Sequence, residues 1–302
     1  MPHERRLDVQ NLTVQYKIEG NLVQVVDRVS FFIDSGEIVA LVGESGCGKT
    51  QVALTLAQLL PKSAIVQQAY SGTPKTAMIF QDPLNALNPV IKVGKQILEG
   101  INMRDGKWKM KDGKKEVLNL LEQVGIDEPK KRYDQYPHEY SGGMLQRALI
   151  AMALAQEPDL LIADEPTTAL DVTIQAQIID LLLELNKLRN LSILFISHDL
   201  SLVRSFAHRT MVMYAGRIVE SASTDIIFYE PKHPYTKALM QVASLAKEKN
   251  EFITINGSVP DPRYYPSGCP FHPRCDVAEE ICSKEFPELI TEKEHSWNCI
   301  HK

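Results

Sequence analysis

The chain has 302 residues, room for about two domains at ~150 residues each, with 44% hydrophobic residues, 24% charged residues and a formal charge of −5. That balance excludes a disordered chain, a collagen and a coiled-coil rod, and the acidic excess argues against nucleic acid as the main ligand. The longest uninterrupted apolar run, Ala148 to Ala155, is far short of the ~18 residues of a spanning helix, and Met1 to Asp8 lack the apolar centre of a signal peptide. Work at a membrane would therefore need other chains to hold this one there.

In chain order, the first 35 residues alternate as half-buried strands: Leu7/Val9, Leu12/Val14/Tyr16, then Val29/Phe31/Ile33. Ile38-Val39-Ala40-Leu41-Val42 is continuous and suits a sheet covered on both faces. It leads through a Gly-rich turn into a helix expected to end at Leu60-Pro61. Residues 86–150 read as a helical subdomain, with helices over Glu116–Val124 and Met144–Ala155. The basic run from Arg104 to Lys115, including Lys107, Lys109, Lys111 and Lys114, is interleaved with Asp105 and Asp112 and reads as a solvated surface, with a phosphate or lipid contact as the alternative.

A second buried strand is expected at Leu160–Ala163 and a third at Ile193–Ile196. Between them lies a helix with Ile174, Ile178, Leu181, Leu185 and Leu188 on one face. Strands alternating with helices in this way predict a parallel α/β sheet. Beyond about residue 230, Pro and Cys rise and the periodicity weakens, so a small domain is expected over 231–302, after a domain of 1–230.

Gly43-Glu44-Ser45-Gly46-Cys47-Gly48-Lys49-Thr50 fits G-x-x-x-x-G-K-[ST] between a buried strand and a helix. The glycines let backbone N–H groups surround phosphate oxygens at a helix N-terminus. Lys49 is placed to reach the β- and γ-phosphates, and the Thr50 hydroxyl to ligate Mg²⁺. Cys47 reads as a small packing residue within the loop. Asp164-Glu165 closes the second buried strand; one carboxylate there can hold Mg²⁺ through water and the next can take a proton from attacking water.

Tyr140-Ser141-Gly142-Gly143-Met144-Leu145-Gln146-Arg147 resembles the signature motif of ABC-type ATPases, with Tyr140 and Met144 in place of the usual Leu and Gln. Gln81 in Phe80-Gln81-Asp82-Pro83 resembles the Q-loop. Thr168-Ala169-Leu170-Asp171 resembles the D-loop, and Ser197-His198-Asp199 the switch-histidine segment. Tyr16 stands where the family's adenine-stacking aromatic is expected. Each has a plainer reading: Tyr16 as a core aromatic, Gln81 as turn polarity, His198 as a core histidine, Asp171 as a helix N-cap.

The resemblance implies a P-loop, RecA-like core with an antiparallel β subdomain and an inserted helical subdomain. It implies ATP and Mg²⁺ as ligands, with Thr50, Gln81 and Asp164 around the metal, and two ATPase subunits meeting head-to-tail. Tyr16, Gly43, Ser45, Gly46, Cys47, Gly48, Lys49 and Thr50 would hold one ATP, while Ser141, Gly142 and Gly143 would contact the partner's γ-phosphate. Glu165 would polarise water, His198 would hold the γ-phosphate, Gln81 would sense Mg²⁺ and couple to membrane subunits, and Asp171 would serve the D-loop.

Leu84-Asn85-Ala86-Leu87-Asn88-Pro89, Ala163 to Thr173 and His233-Pro234-Tyr235-Thr236-Lys237-Ala238-Leu239 resemble dipeptide and oligopeptide permease ATPases. Met144 and the Thr-Thr-Ala-Leu run favour the first of two paralogous ATPases. This implies a peripheral subunit on the cytoplasmic face of the cell membrane. It would work with a different ATPase chain, two permease subunits and, indirectly, an extracytoplasmic binding protein, with no nucleic acid. Nickel and oligosaccharide importers share the branch, and a soluble non-transport ABC ATPase is the more distant alternative. Two departures stand out. Only 30 residues separate Thr50 from Gln81, with Ser71-Gly72-Thr73-Pro74 in a trimmed segment, and Gln51 replaces a small hydroxyl residue.

Of five cysteines, Cys269, Cys275, Cys282 and Cys299 fall in the last 34 residues. In a reducing compartment two disulfides are disfavoured, and four thiolates suit Zn²⁺ or an Fe–S cluster. The x5 and x6 gaps are wide for a zinc ribbon. The permease resemblance implies a [4Fe-4S] cluster at these four residues, with Zn²⁺ and unligated thiols as alternatives. His272 and His295 are nearby spare ligands expected to face solvent.

Overall fold

The structure, a computed structural model, describes residues 4–72, 74–105, 110–168, 170–249 and 255–301. Thr73, Lys107, Lys109 and Ala169, named above, lie outside the described residues. The contacts divide the chain into two units, residues 1–72 with 194–302, and residues 73–193.

In the first unit, β1 (Arg5–Ile18) and β2 (Asn21–Asp34) form an antiparallel hairpin. The first two alternating stretches of the sequence are one strand, because the left-handed Asn11 (φ 52) absorbs an irregularity in the ladder without ending it. After β3 (Ile38–Val42) and α1 (Lys49–Leu56), β4 (Ala64–Ser71) pairs with the other edge of β1, giving an antiparallel sheet of order β2-β1-β4. Helix α1 ends at Leu56, four residues before the expected Leu60, and the left-handed Gln58 (φ 57) turns the chain out of it.

The second unit carries β5 (Thr76–Ile79), the short α2 (Pro83–Ala86), α3 (Val93–Asp105), α4 (Met110–Gln123), α5 (Pro129–Tyr133), α6 (Gly142–Leu154), β6 (Leu160–Asp164) and α7 (Val172–Arg189). Strands β5 and β6 pair in parallel, Thr76 opposite Leu160 and Ile79 opposite Ala163. Every residue of β6 is buried, as its unbroken apolar run requires. Helix α7 buries Ile178, Leu181, Leu182 and Leu185. Leu188, expected on that face, is 67% exposed in the last turn, and Ile174 in the first turn is only half-buried.

The chain returns to the first unit through β7 (Ser192–Ser197), followed by α8 (Leu200–Val203), β8 (Arg209–Tyr214), β9 (Arg217–Ser223), α9 (Thr224–Tyr229), α10 (Pro234–Lys249), β10 (Ile290–Glu292) and β11 (His295–Trp297). In this unit the sheet order is β10-β11-β9-β8-β3-β7. Strands β3 and β8 pair in parallel, and β8 and β9 antiparallel. The last described segment is anchored to this sheet through β11, which pairs with β9 at Ser296–Ser221 and Trp297–Glu220.

The buried Glu220 carboxylate reinforces that anchor. It accepts the backbone N–H groups of Lys232 (2.7 Å) and His233 (2.8 Å) and is hydrogen bonded to His295 Nε2 at 2.7 Å. His295 is therefore buried and engaged, where the sequence suggested an exposed residue; a buried carboxylate takes the partner that relieves its desolvation. Among the described residues, no helix is long and apolar enough to cross a membrane.

Candidate functional site

The phosphate loop follows from the end of β3. Gly48 caps α1 in the left-handed region (φ 109), and a Cβ there would meet Val25 O at 2.8 Å and Met213 Cε at 2.9 Å. A Cβ on Gly43 would lie 2.2 Å from Met213 O, so neither position accepts a side chain. Helix geometry leaves the N–H groups of Gly48, Lys49 and Thr50 without intrahelical acceptors. Ser45, Gly46 and Thr50 are exposed, so this row of donors opens outward.

Lys49 is buried. Its Nζ donates to Gly43 O (2.8 Å) and Glu44 O (3.0 Å) within its own loop. Those carbonyls hold the ammonium at the loop, and an anion above it offers a stronger, charge-assisted partner. Cys47 is fully buried as a packing residue, and burial pushes its thiol pKa up.

Tyr16, on β1, is half-buried and its hydroxyl donates to Gln51 Oε1 at 2.6 Å. Burial raises its pKa, which keeps that donor protonated. The bond ties the ring to the first turn of α1. Gln51, marked above as a departure, is thus the group that orients Tyr16. His198 is exposed at the end of β7, where Asp199 caps α8 by accepting Leu202 N–H at 3.1 Å.

The second unit holds the two carboxylates expected at the end of the second buried strand. Asp164 is buried at the end of β6, and Glu165 follows in the left-handed region at φ 47. A non-glycine residue there carries strain of about 1–3 kcal/mol, which the surrounding contacts must hold. Two of them converge on Glu165 Oε2: Gln81 Nε2 at 3.0 Å and Thr168 Oγ1 at 3.0 Å. Gln81 and Glu165, 84 residues apart, are therefore brought together. Thr168 contributes a donor that sequence reading assigned only to the D-loop string.

Ser141 caps α6, accepting Met144 N–H at 3.3 Å, and Ser141 and Gly142 are exposed at that helix start. A Cβ on Gly143 would meet Ile174 Cγ2 at 2.9 Å, so the helix approaches α7 only with glycine there. Tyr140, in place of the usual Leu, is buried; desolvation pushes its pKa up to about 12, and its hydroxyl donates to Arg132 O. Asp171 is exposed and N-caps α7 through Ile174 N–H at 3.0 Å.

The sulfur atoms of the last segment gather within the first unit. Cys269, Cys275, Cys282 and Cys299 line one small cavity with Phe271 and His272. Burial raises the pKa of Cys269 to about 11 and raises those of Cys275 and Cys299. The backbone N–H groups of Phe271, Val277 and His301 donate to the three sulfurs and act in the opposite direction. The expectation of a metal site is corrected in one respect. Among the described residues, no three His, Cys, Asp or Glu side chains converge as a single metal ion requires. The thiols share a cavity without closing on one tetrahedral point. His272, expected to face solvent, is half-buried and bonds through Nδ1 to Cys269 O at 2.9 Å.

The sequence matches the ABC transporter family over residues 26–168 and the oligopeptide/dipeptide transporter C-terminal region over residues 219–282. It is 44% identical to the dipeptide transport ATP-binding protein DppD of Bacillus subtilis strain 168, over 98% of this chain and 94% of that protein. It is 43% identical to DppD of Escherichia coli strain K12, over 94% of this chain and 92% of that protein. Among solved structures it is similar to the ATP-binding cassette MJ0796 in a dimeric post-hydrolysis state bound to ADP and Pi, with TM-score 0.61, 25% identity, and coverage of 72% of this chain and 98% of that one. With a phosphate loop, a carboxylate after a buried strand and a signature helix start in the family's order, and with these relatives spanning nearly its whole length, the chain belongs to the ABC transporter ATPases that carry the oligopeptide/dipeptide transporter C-terminal region.

Proposed function

We propose that this ATPase is the energy-coupling subunit of an importer for di- and oligopeptides, the first of two paralogous ATPases. It works as a heterodimer with the second on two membrane permease subunits, peripheral at the cytoplasmic face of the cell membrane, with an extracytoplasmic binding protein delivering substrate. The observation that carries the hydrolytic part is Glu165, oriented by Gln81 and Thr168 through one carboxylate oxygen. The peptide class is supported by the matched C-terminal region and the dipeptide transport relatives.

In this reading, Lys49 exchanges the Gly43 and Glu44 carbonyls for the β- and γ-phosphates, and the N–H groups from Gly46 to Thr50 hold phosphate oxygens. The adenine ring stacks on Tyr16. The Thr50 hydroxyl, Gln81 and Asp164 are the oxygen donors available to Mg²⁺, which suits a hard cation with few protein ligands. When bound, Mg²⁺ neutralises phosphate charge. Glu165 polarises the attacking water, and loss of the Gln81 bond frees the carboxylate oxygen for that proton. His198 holds the γ-phosphate. Ser141, Gly142 and Gly143, at an exposed helix start, serve the nucleotide bound by the partner chain, so that two chains must close for hydrolysis.

At the four-cysteine segment the reading extends to a [4Fe-4S] cluster on Cys269, Cys275, Cys282 and Cys299, with Zn²⁺ as the alternative. What supports this is that the four cysteines, far apart in sequence, line one cavity. When bound, the cluster supplies four metal–thiolate cross-links to a segment with little core of its own. Iron and acid-labile sulfide that copurify with the anaerobically prepared chain, and fall on Cys282→Ser, support this; zinc alone overturns it.

The assembly is tested by capture of the tagged Glu165→Gln chain with Mg-ATP from solubilised native membranes. Two polytopic permease chains and a second, different ATPase are expected. Recovery of soluble proteins without any membrane chain would refute the importer reading.

A further inference from the structure

One residue of the phosphate loop is held at three points, two of them from outside the loop and all within the first unit. Glu44 N–H donates to the hydroxyl of Tyr235 at 2.9 Å, Glu44 O accepts Lys49 Nζ at 3.0 Å, and the Glu44 carboxylate forms a two-pronged ion pair with Arg274 at 2.8 and 3.0 Å. Arg274 immediately precedes Cys275, 230 residues along the chain from Glu44. Every N–H of its guanidinium is used: Nε to Asn256 O (2.8 Å), one terminal nitrogen to Glu44 and Tyr214 Oη (3.3 Å), the other to Glu44 and Ile255 O (3.2 Å). Its side chain is 6% exposed against 27% for Glu44. The Tyr214 and Phe271 rings lie 5.7 and 5.8 Å from the guanidinium, and both pack on Tyr235, with ring centroids 4.6 and 5.3 Å apart, so the cation sits against an aromatic cluster.

A carboxylate inside a loop built for a triphosphate repels its own ligand. Coulomb repulsion between like charges a few ångströms apart is large when solvent is partly excluded. Tying that carboxylate to a buried, fully bonded arginine removes the repulsion and fixes the shape of the Glu44 peptide, whose carbonyl parks Lys49. A lysine offers three donors and no planar fork, so it cannot reproduce the clamp.

We propose that Arg274 is a positioning residue of the nucleotide site. By neutralising and orienting Glu44 it sets the affinity of the phosphate loop for nucleotide, so the four-cysteine segment controls nucleotide binding through this one ion pair. The inference rests on the reading of residues 43–50 as the ATP site, and the control below separates the two.

The experiment measures the Kd of the purified full chain for a fluorescent ATP analogue, and KM and kcat for ATP. Arg274→Gln is expected to raise Kd and KM about tenfold, with kcat changed far less, because the effect lies in ground-state binding. In a Glu44→Gln background the same Arg274 change is expected to cost less than about twofold, since the charge it serves is gone. Arg274→Lys is expected to fall between, at about threefold, and decides the matter if Arg274→Gln does not fold. An equal loss in both backgrounds would show a merely structural arginine and overturn the proposal, as would unchanged affinity in Arg274→Gln. Lys49→Ala is the control: retained affinity there would instead refute the site reading itself.

Discussion

The bond between Tyr16 and Gln51 gives a prediction that separates recognition of the base from recognition of the phosphates. Alanine in place of an aromatic that stacks on a base costs about 1–3 kcal/mol, a roughly five- to 150-fold weaker Kd. Tyr16 is half-buried, so its loss also lowers stability, but the effect to read is selective. Gln51 does not touch the base in this account; it fixes the ring through one hydrogen bond of 2.6 Å. Removing a part-buried bond of this kind is worth about 1 kcal/mol, so Gln51→Ala should weaken ATP about fivefold, and Tyr16→Phe, which keeps the ring, by a similar factor or less. The assay compares Kd for ATP with Kd for inorganic tripolyphosphate, which has no base to stack. Tyr16→Ala and Gln51→Ala should weaken ATP and leave tripolyphosphate within about twofold. Equal weakening of both ligands, or loss of thermal stability with no change in either Kd, would refute the reasoning and return Tyr16 to a core aromatic.

Three further outcomes follow from the contacts. Lys49→Ala, which removes the buried ammonium and both of its carbonyl bonds, should reduce ATP hydrolysis at least about a hundredfold in a phosphate-release assay, as expected for loss of a phosphate-binding charge. Gly143→Val places atoms where Ile174 Cγ2 would lie 2.9 Å from the new Cβ; thermal unfolding should show a loss of about 1–3 kcal/mol, and Ile174→Ala in the same chain should return part of it. Glu220→Ala leaves two backbone N–H groups and His295 without their acceptor, so limited proteolysis should release the segment beyond residue 250 much faster, at a cost of about 3–5 kcal/mol.

The parts legible in the sequence are those that local chemistry specifies. The phosphate loop could be read because Gly43 and Gly48 stand where a Cβ cannot and because the loop joins an apolar strand to a helix. Strands β3, β6 and β7 could be read because burial on both faces forces unbroken apolar runs. Contacts between distant residues left no such trace. Arg274 looks like an ordinary basic residue beside a cysteine until the fold brings it to Glu44, and His295 looks like a surface histidine until β11 carries it to Glu220. The end of α1 is not legible in the sequence because Gln58 terminates the helix through a left-handed φ that glutamine seldom adopts, with no Gly or Pro until Pro61. The exposure of Leu188 is not legible because helical periodicity gives the side of a helix and not how far along it the neighbouring layer extends. The cysteine cluster was visible as four thiols, but spacing alone did not reveal that they share a cavity without closing on one point.

Under the proposed function, Glu165 drives ATP hydrolysis coupled to peptide import. Its most direct test is the ATPase rate of the purified full transporter in lipid, with peptide-loaded binding protein, comparing the native chain with Glu165→Gln. Dipeptide is expected to accelerate hydrolysis in the native complex, and Glu165→Gln to bind ATP yet abolish the peptide-stimulated rate. Hydrolysis that ignores peptide, or that persists unchanged in Glu165→Gln, would contradict it.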